Sequence, residues 1–157
     1  MKYFISVGEA SGDIHAAALI DAIKVVDSQA QFAFLGGDLM CKSTGVKPVI
    51  DYREMAYMGF SEVLRHLQQV LGNLKRAKRA LEQFRPDALI LIDYPSFNLK
   101  LARHAHSLNI PIYYYISPKV WAWKEYRVKD IKNMCDDCSR YCRLRWNFLN
   151  ATTMRSP

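Results

Sequence analysis

With 157 residues, half of them hydrophobic and 24% charged, the chain is long enough for one domain with its own core and too apolar to be disordered throughout. No run approaches the roughly 20 apolar residues that span a bilayer, and Met1-Lys2 leads directly into a strand-like run without a signal-peptide apolar region, so a cytoplasmic, soluble or peripheral protein is expected. The net charge of +7 biases the partners toward phosphates, nucleic acid or acidic lipid without choosing among them.

Tyr3 to Val7 is rich in aromatic and β-branched residues and predicts a strand. Ile14, Ala18, Leu19, Ala22, Ile23 and Val26 then recur at helical spacing. Between them lies the polar turn Val7-Gly8-Glu9-Ala10-Ser11-Gly12-Asp13. Its glycines let the backbone bend tightly or approach a ligand, and Glu9 and Asp13 supply acid/base or hydroxyl-binding groups. Ser11 or Asp13 can equally cap the helix that follows, which would make the turn a simple connection. Phe32 to Leu35 predicts a second strand, ended by a Gly36-Gly37-Asp38 loop, and Val46 to Ile50 a shorter third.

From Phe60, the residues Val63, Leu64, Leu67, Val70, Leu71, Leu74, Leu81 and Phe84 keep a helical period, with Gly72 marking a kink or a break. The opposite face is basic. Tyr57-Met58-Gly59-Phe60 with Val63-Leu64 and the pairs Lys75-Arg76 and Lys78-Arg79 suits contact with an anionic membrane surface, or a core-facing helix with a solvated basic side.

Ala88 to Ile92 is continuously apolar, as in a central parallel strand covered on both faces, and ends at Asp93. In Asp93-Tyr94-Pro95-Ser96-Phe97-Asn98 the carboxylate of Asp93 stands where a general base would sit at a cleft mouth, or where it would cap the helix running from Phe97 to Leu108. Ile110 to Ile116 predicts a further strand with Pro111 at its start. Ser117-Pro118-Lys119-Val120-Trp121-Ala122-Trp123-Lys124 follows, with indoles and ammonium groups suited to stacking on and pairing with a sugar phosphate, or to ordinary packing.

Cys135, Cys138 and Cys142 have loosely metal-like spacing but no matching fourth ligand, and His15, His66, His104 and His106 have no ligand spacing, so no metal site is expected. The chain has no G-x-G-x-x-G fingerprint, P-loop or D-x-D pair. Strands alternating with helices predict a Rossmann-like parallel α/β sheet with helices on both faces. Ligands of such sheets sit beyond the carboxyl ends of the strands, which brings Glu9, Asp93 and Ser117 to one edge.

Four ordered segments, Gly8 to Asp13, Met58 to Leu64, Ile92 to Asn98 and Tyr115 to Trp123, closely resemble the lipid-A-disaccharide synthase family. That resemblance implies the N-terminal lobe of a GT-B fold and an inverting glycosyltransferase that needs no cofactor. The implied substrates are UDP-2,3-diacylglucosamine and 2,3-diacylglucosamine 1-phosphate, joined with release of UDP at the cytoplasmic face of a Gram-negative inner membrane; nucleic acid is not an expected partner. Asp93 and Glu9 match the family's acidic residues and are the expected catalytic pair, Asp93 as base for the acceptor hydroxyl. Gly8, Ser11, Gly12, Asp13, Asn98, Ser117, Lys119 and Trp121 are the expected substrate contacts, and Tyr57, Met58, Phe60, Lys75 and Arg76 the expected membrane contacts. Ser96 stands where the family's motif commonly has a second aspartate.

The resemblance places a Rossmann-like lobe at 1–132 and leaves 133–157 as an irregular tail, read as out of frame or truncated, without the lobe that holds UDP in the family. Activity of the shortened chain is therefore not implied. The alternative function is a non-catalytic module that binds an anionic glycolipid or nucleotide.

Overall fold

The computed structural model describes residues 1–55 and 67–116. Within them, strands β1 (Lys2–Ser6), β2 (Gln31–Gly36), β3 (Ile50–Asp51), β4 (Ala88–Ile92) and β5 (Ile112–Ile116) alternate with helices α1 (Ala10–Val26), α2 (Asp38–Thr44), α3 (Leu67–Phe84) and α4 (Pro95–Ser107). The strands form one parallel sheet in the order β3-β2-β1-β4-β5.

Successive strand residues point to opposite faces, and each face has its own core. Phe4, Leu35, Leu89, Leu91, Ile112 and Tyr114 meet Leu74, Ala77, Leu81, Leu101 and Ala105 of α3 and α4. Ile5, Val7, Phe32, Phe34, Ile90 and Ile92 meet Ala16 and Ile20 of α1 and Met40 of α2. All residues of β4 are buried, which is why its sequence carries no polar alternation. Each large side chain so buried contributes about 1.5–3 kcal/mol.

Several expectations need correction. Helix α1 starts at Ala10, and its N-cap Glu9 makes no side-chain capping bond; neither Ser11 nor Asp13 caps it. A helix, α2, follows Gly37 where a loop was expected, and the strand expected over Val46 to Ile50 is confined to Ile50–Asp51. Gly72 does not break α3: it is exposed, nothing lies within 4 Å of where its Cβ would be, and the helix simply carries the cost of about 1 kcal/mol relative to alanine.

Tyr57, Met58 and Phe60, the start of the helix expected at Phe60, Ser117, Lys119, Trp121, Trp123, the three clustered cysteines and the 133–157 tail lie outside the described residues.

Candidate functional site

The strand order reverses between β1 and β4. From β1 the chain builds outward through β2 and β3, then returns to β1's other side with β4 and β5. Helices leaving the carboxyl ends of two such neighbours depart to opposite faces of the sheet, and the crevice between them is where open α/β sheets bind ligands. Here α1 follows β1 onto one face and α4 follows β4 onto the other. The register pairs Ser6 with Leu91, and extending it sets Gly8 level with Asp93. The turn bearing Glu9 and the turn bearing Asp93 therefore share one edge, as the sequence predicted.

The two turns touch. A Cβ on Gly8 would lie within 2.6 Å of Cδ1 and Cδ2 of the Tyr94 ring, so the ring lies directly over the Gly8 backbone. Tyr94 was not among the expected site residues, although it stands inside the motif. Burial pushes its phenol up to about 12 from the usual 10. Because the unfolded chain ionises this group first, it stabilises the fold fully below pH 10, and stability falls as the pH rises from 10 to about 12. Denaturation midpoints across that interval are expected to fall less steeply in Tyr94→Phe than in the unaltered protein.

Asp93 and Tyr94 both have left-handed backbones, each with φ 49°. Among the described residues, the other non-glycine residues of positive φ, Arg85 and Asn109, follow the ends of α3 and α4, where a left-handed residue commonly closes a helix. The Asp93-Tyr94 pair instead precedes a helix, and Pro95 at its first position keeps Tyr94 out of the right-handed region. Two such residues cost about 2–4 kcal/mol together. The offset is visible at the Asp93 carbonyl, which accepts from Asn98 Nδ2 at 2.8 Å and from the Tyr114 hydroxyl at 2.9 Å. Each bond contributes about 0.5–1.5 kcal/mol.

The Asp93 side chain is half-buried and does not cap α4, whose N-cap is Tyr94. Among the described residues its carboxylate has no hydrogen-bond or ion-pair partner. Glu9 is exposed on the neighbouring turn and accepts a hydrogen bond from the Ser11 hydroxyl.

The remaining expected contacts divide. Gly12 is buried, with its Cβ position 3.0 Å from Cβ of Val7, so it admits α1 close to the strand end. Asp13 is buried and turned away from the crevice: its carboxylate accepts from Gly37 N at 2.8 Å, Leu39 N at 3.1 Å and Met40 N at 3.4 Å, capping α2. Asn98 is fully buried; its Oδ1 accepts from the Ser6 hydroxyl at 2.7 Å while Nδ2 reaches the carbonyls of Ile92 and Asp93. Lys75 is exposed on α3. Arg76, by contrast, donates to Glu54 at 2.9 Å and to the Val49 carbonyl at 3.1 Å, bracing α3 against the segment around β3. No cluster of three or more metal-ligating side chains occurs among the described residues.

A family model described as Lipid-A-disaccharide synthetase matches residues 3–139. The lipid-A-disaccharide synthase of Nitrosococcus oceani is 46% identical over 132 residues, covering 84% of this chain and 34% of the relative. That of Acidobacterium capsulatum is 41% identical over 133 residues, covering 85% and 33%. The chain thus spans about a third of the length of these relatives. Among solved structures, UDP-GlcNAc 2-epimerase from Neisseria meningitidis bound to UDP-GlcNAc is similar with a TM-score of 0.57 at 13% identity, over 86% of this chain and 38% of that one. UDP-N-acetylglucosamine 2-epimerase from Rickettsia bellii gives 0.51 at 13% identity, over 92% and 42%. At such identities the likeness concerns fold, and the fold is the Rossmann-like lobe of GT-B architecture.

Proposed function

The chain belongs to the lipid-A-disaccharide synthetase family, and from that membership we propose that it forms the acceptor-side lobe of a lipid A glycosyltransferase. In this reading a hydroxyl of 2,3-diacylglucosamine 1-phosphate enters the crevice between the β1 and β4 turns. Asp93 takes its proton as the oxygen attacks the anomeric carbon of UDP-2,3-diacylglucosamine, inverting it, and UDP departs. Glu9 lies on the facing turn, where a carboxylate can hold a sugar hydroxyl. Contacts to UDP belong to the part of the family's length that lies outside the match.

The observation that carries the reading is the contrast between two aspartates. Asp13 has spent its carboxylate on backbone amides, whereas Asp93 stands at the strand-order reversal with its carboxylate unengaged among the described residues. A base must have an open acceptor in reach of the hydroxyl it serves.

The substrates' acyl chains favour work at a membrane surface, since drawing them into water costs about 0.8 kcal/mol per methylene. No helix among the described residues is long and apolar enough to cross a membrane, so the proposed association is peripheral, at the inner-membrane face, with Lys75 among its basic contacts.

The test adds the purified chain, and a chimera completing it with the rest of the Nitrosococcus oceani relative, to both lipid substrates and measures UDP. Turnover that drops about 10²–10⁴-fold in Asp93→Ala while acceptor binding persists supports the base assignment. Acceptor binding with no UDP released by either protein favours the non-catalytic module instead.

A further inference from the structure

We propose that Tyr114 and Asn98 are positioning residues for Asp93, acting through its backbone carbonyl and not through contact with substrate. The inference rests on the reading of Asp93 as the base and adds to it the device that aims the carboxylate.

The Asp93 carbonyl oxygen has two lone pairs and receives two donors, Asn98 Nδ2 at 2.8 Å and the Tyr114 hydroxyl at 2.9 Å. These donors come from different elements, the first turn of α4 and the strand β5. Neither is free to wander. Asn98 is fully buried, and its amide is oriented from the far side by the Ser6 hydroxyl of β1, which donates to Oδ1 at 2.7 Å. The Tyr114 ring is seated in the core between the sheet and α4. Next to it, the pairing of β4 with β5 slips by a residue between Leu91 and Ile92, an irregularity at the edge that carries the site. Donors from α4 and β5 thus converge on one peptide at the end of β4, with β1 holding the α4 donor in place.

Fixing that peptide matters because Asp93 holds a left-handed backbone, which aspartate enters more readily than most side chains but still at a cost relative to the extended region. With φ set, the Cα–Cβ bond has one direction and the carboxylate is limited to a few staggered positions. Releasing the carbonyl lets the residue relax toward an extended conformation, which swings the carboxylate away from the crevice. Asn98 cannot also serve as a direct substrate contact, since its oxygen and its amide group are already spoken for in the interior.

Tyr114→Phe in the full chain keeps the ring and removes one donor. By NMR, the variant is expected to show an upfield shift of the Asp93 carbonyl carbon and loss of a single Asp93 χ1 rotamer in its three-bond couplings, while the α1 and α2 amides stay in place. Asn98→Asp, which keeps shape and loses the donor, is expected to move the same resonance. Unchanged Asp93 shift and couplings in Tyr114→Phe would overturn the proposal. Titrating 2,3-diacylglucosamine 1-phosphate in micelles separates it from the functional reading. A wild-type Asp93 carboxyl resonance that ignores the lipid overturns Asp93 as an acceptor-facing base. A response that persists identically in Tyr114→Phe overturns positioning alone.

Discussion

Replacing Asp13 with alanine is expected to lower the unfolding free energy by about 3–5 kcal/mol, a large fraction of what a domain of this size has to lose. The carboxylate is buried and accepts from the amides of Gly37, Leu39 and Met40, the N-cap and early turn of α2. Those donors have no partner within their own helix, since the first N–H groups of any helix lack one. Truncation leaves the buried amides of Gly37 and Met40 unsatisfied and removes a negative charge from the positive end of the helix dipole. Asp13→Asn keeps one acceptor but turns an amide donor toward another donor, so it recovers only part of the loss. Urea unfolding, with hydrogen exchange at Gly37, Leu39 and Met40, measures both variants. A loss below about 1 kcal/mol for alanine would mean that water replaces the carboxylate at no great cost, and the capping role would fall.

The same contact explains what the sequence could not reveal. α2 spans only Asp38–Thr44, far shorter than a helix that forms on local propensity, and Gly36-Gly37 before it reads as punctuation. Its N-terminus is satisfied by a residue on another helix, 24 positions earlier in the chain, so no local window contains the signal. Strand β3 was misplaced for a related reason: Val46 is exposed, and pairing with β2 is confined to Ile50 and Asp51, opposite Leu35 and Gly36.

What was legible came from runs dense enough to speak for themselves. The unbroken Ala88-Leu89-Ile90-Leu91-Ile92 announced a strand covered on both faces, and once it lay beside β1 the edge shared by Glu9 and Asp93 followed from parallel topology. Side-chain roles within the motif were not legible in this way. Asp13 and Asn98 had the chemistry of ligand contacts, and only burial with fully used hydrogen-bonding groups assigns them to the scaffold. Tyr94 and Tyr114 carried no signal of their own in the sequence. An aromatic residue next to a strand end looks like packing, and nothing in the local pattern says that one ring covers a glycine or that one hydroxyl holds a carbonyl.

Gly8→Ala is the second change expected to have a large effect, and the cause is contact and not backbone conformation. Alanine tolerates the Gly8 backbone, whose φ lies outside the left-handed range, but its methyl would sit within 2.6 Å of the Tyr94 ring atoms Cδ1 and Cδ2. The ring cannot yield by rotating a distant tip, because its root carbon also lies against the Gly8 position, and Tyr94 is held between Pro95 and an Asp93 whose carbonyl is doubly bonded. Overpacking of this kind costs about 1–3 kcal/mol. It should also push the two turns apart, moving Asp93 away from Glu9 and weakening whatever the crevice holds. Tyr94→Ala alone loses its packing against Phe97, yet combined with Gly8→Ala it removes the obstruction. The double-mutant cycle is therefore expected to show a favourable coupling of about 1–2 kcal/mol, measured by denaturant unfolding. Additive losses would mean that the β1 turn accommodates a methyl without Tyr94's help, and that the ring does not set the spacing between the two acidic turns.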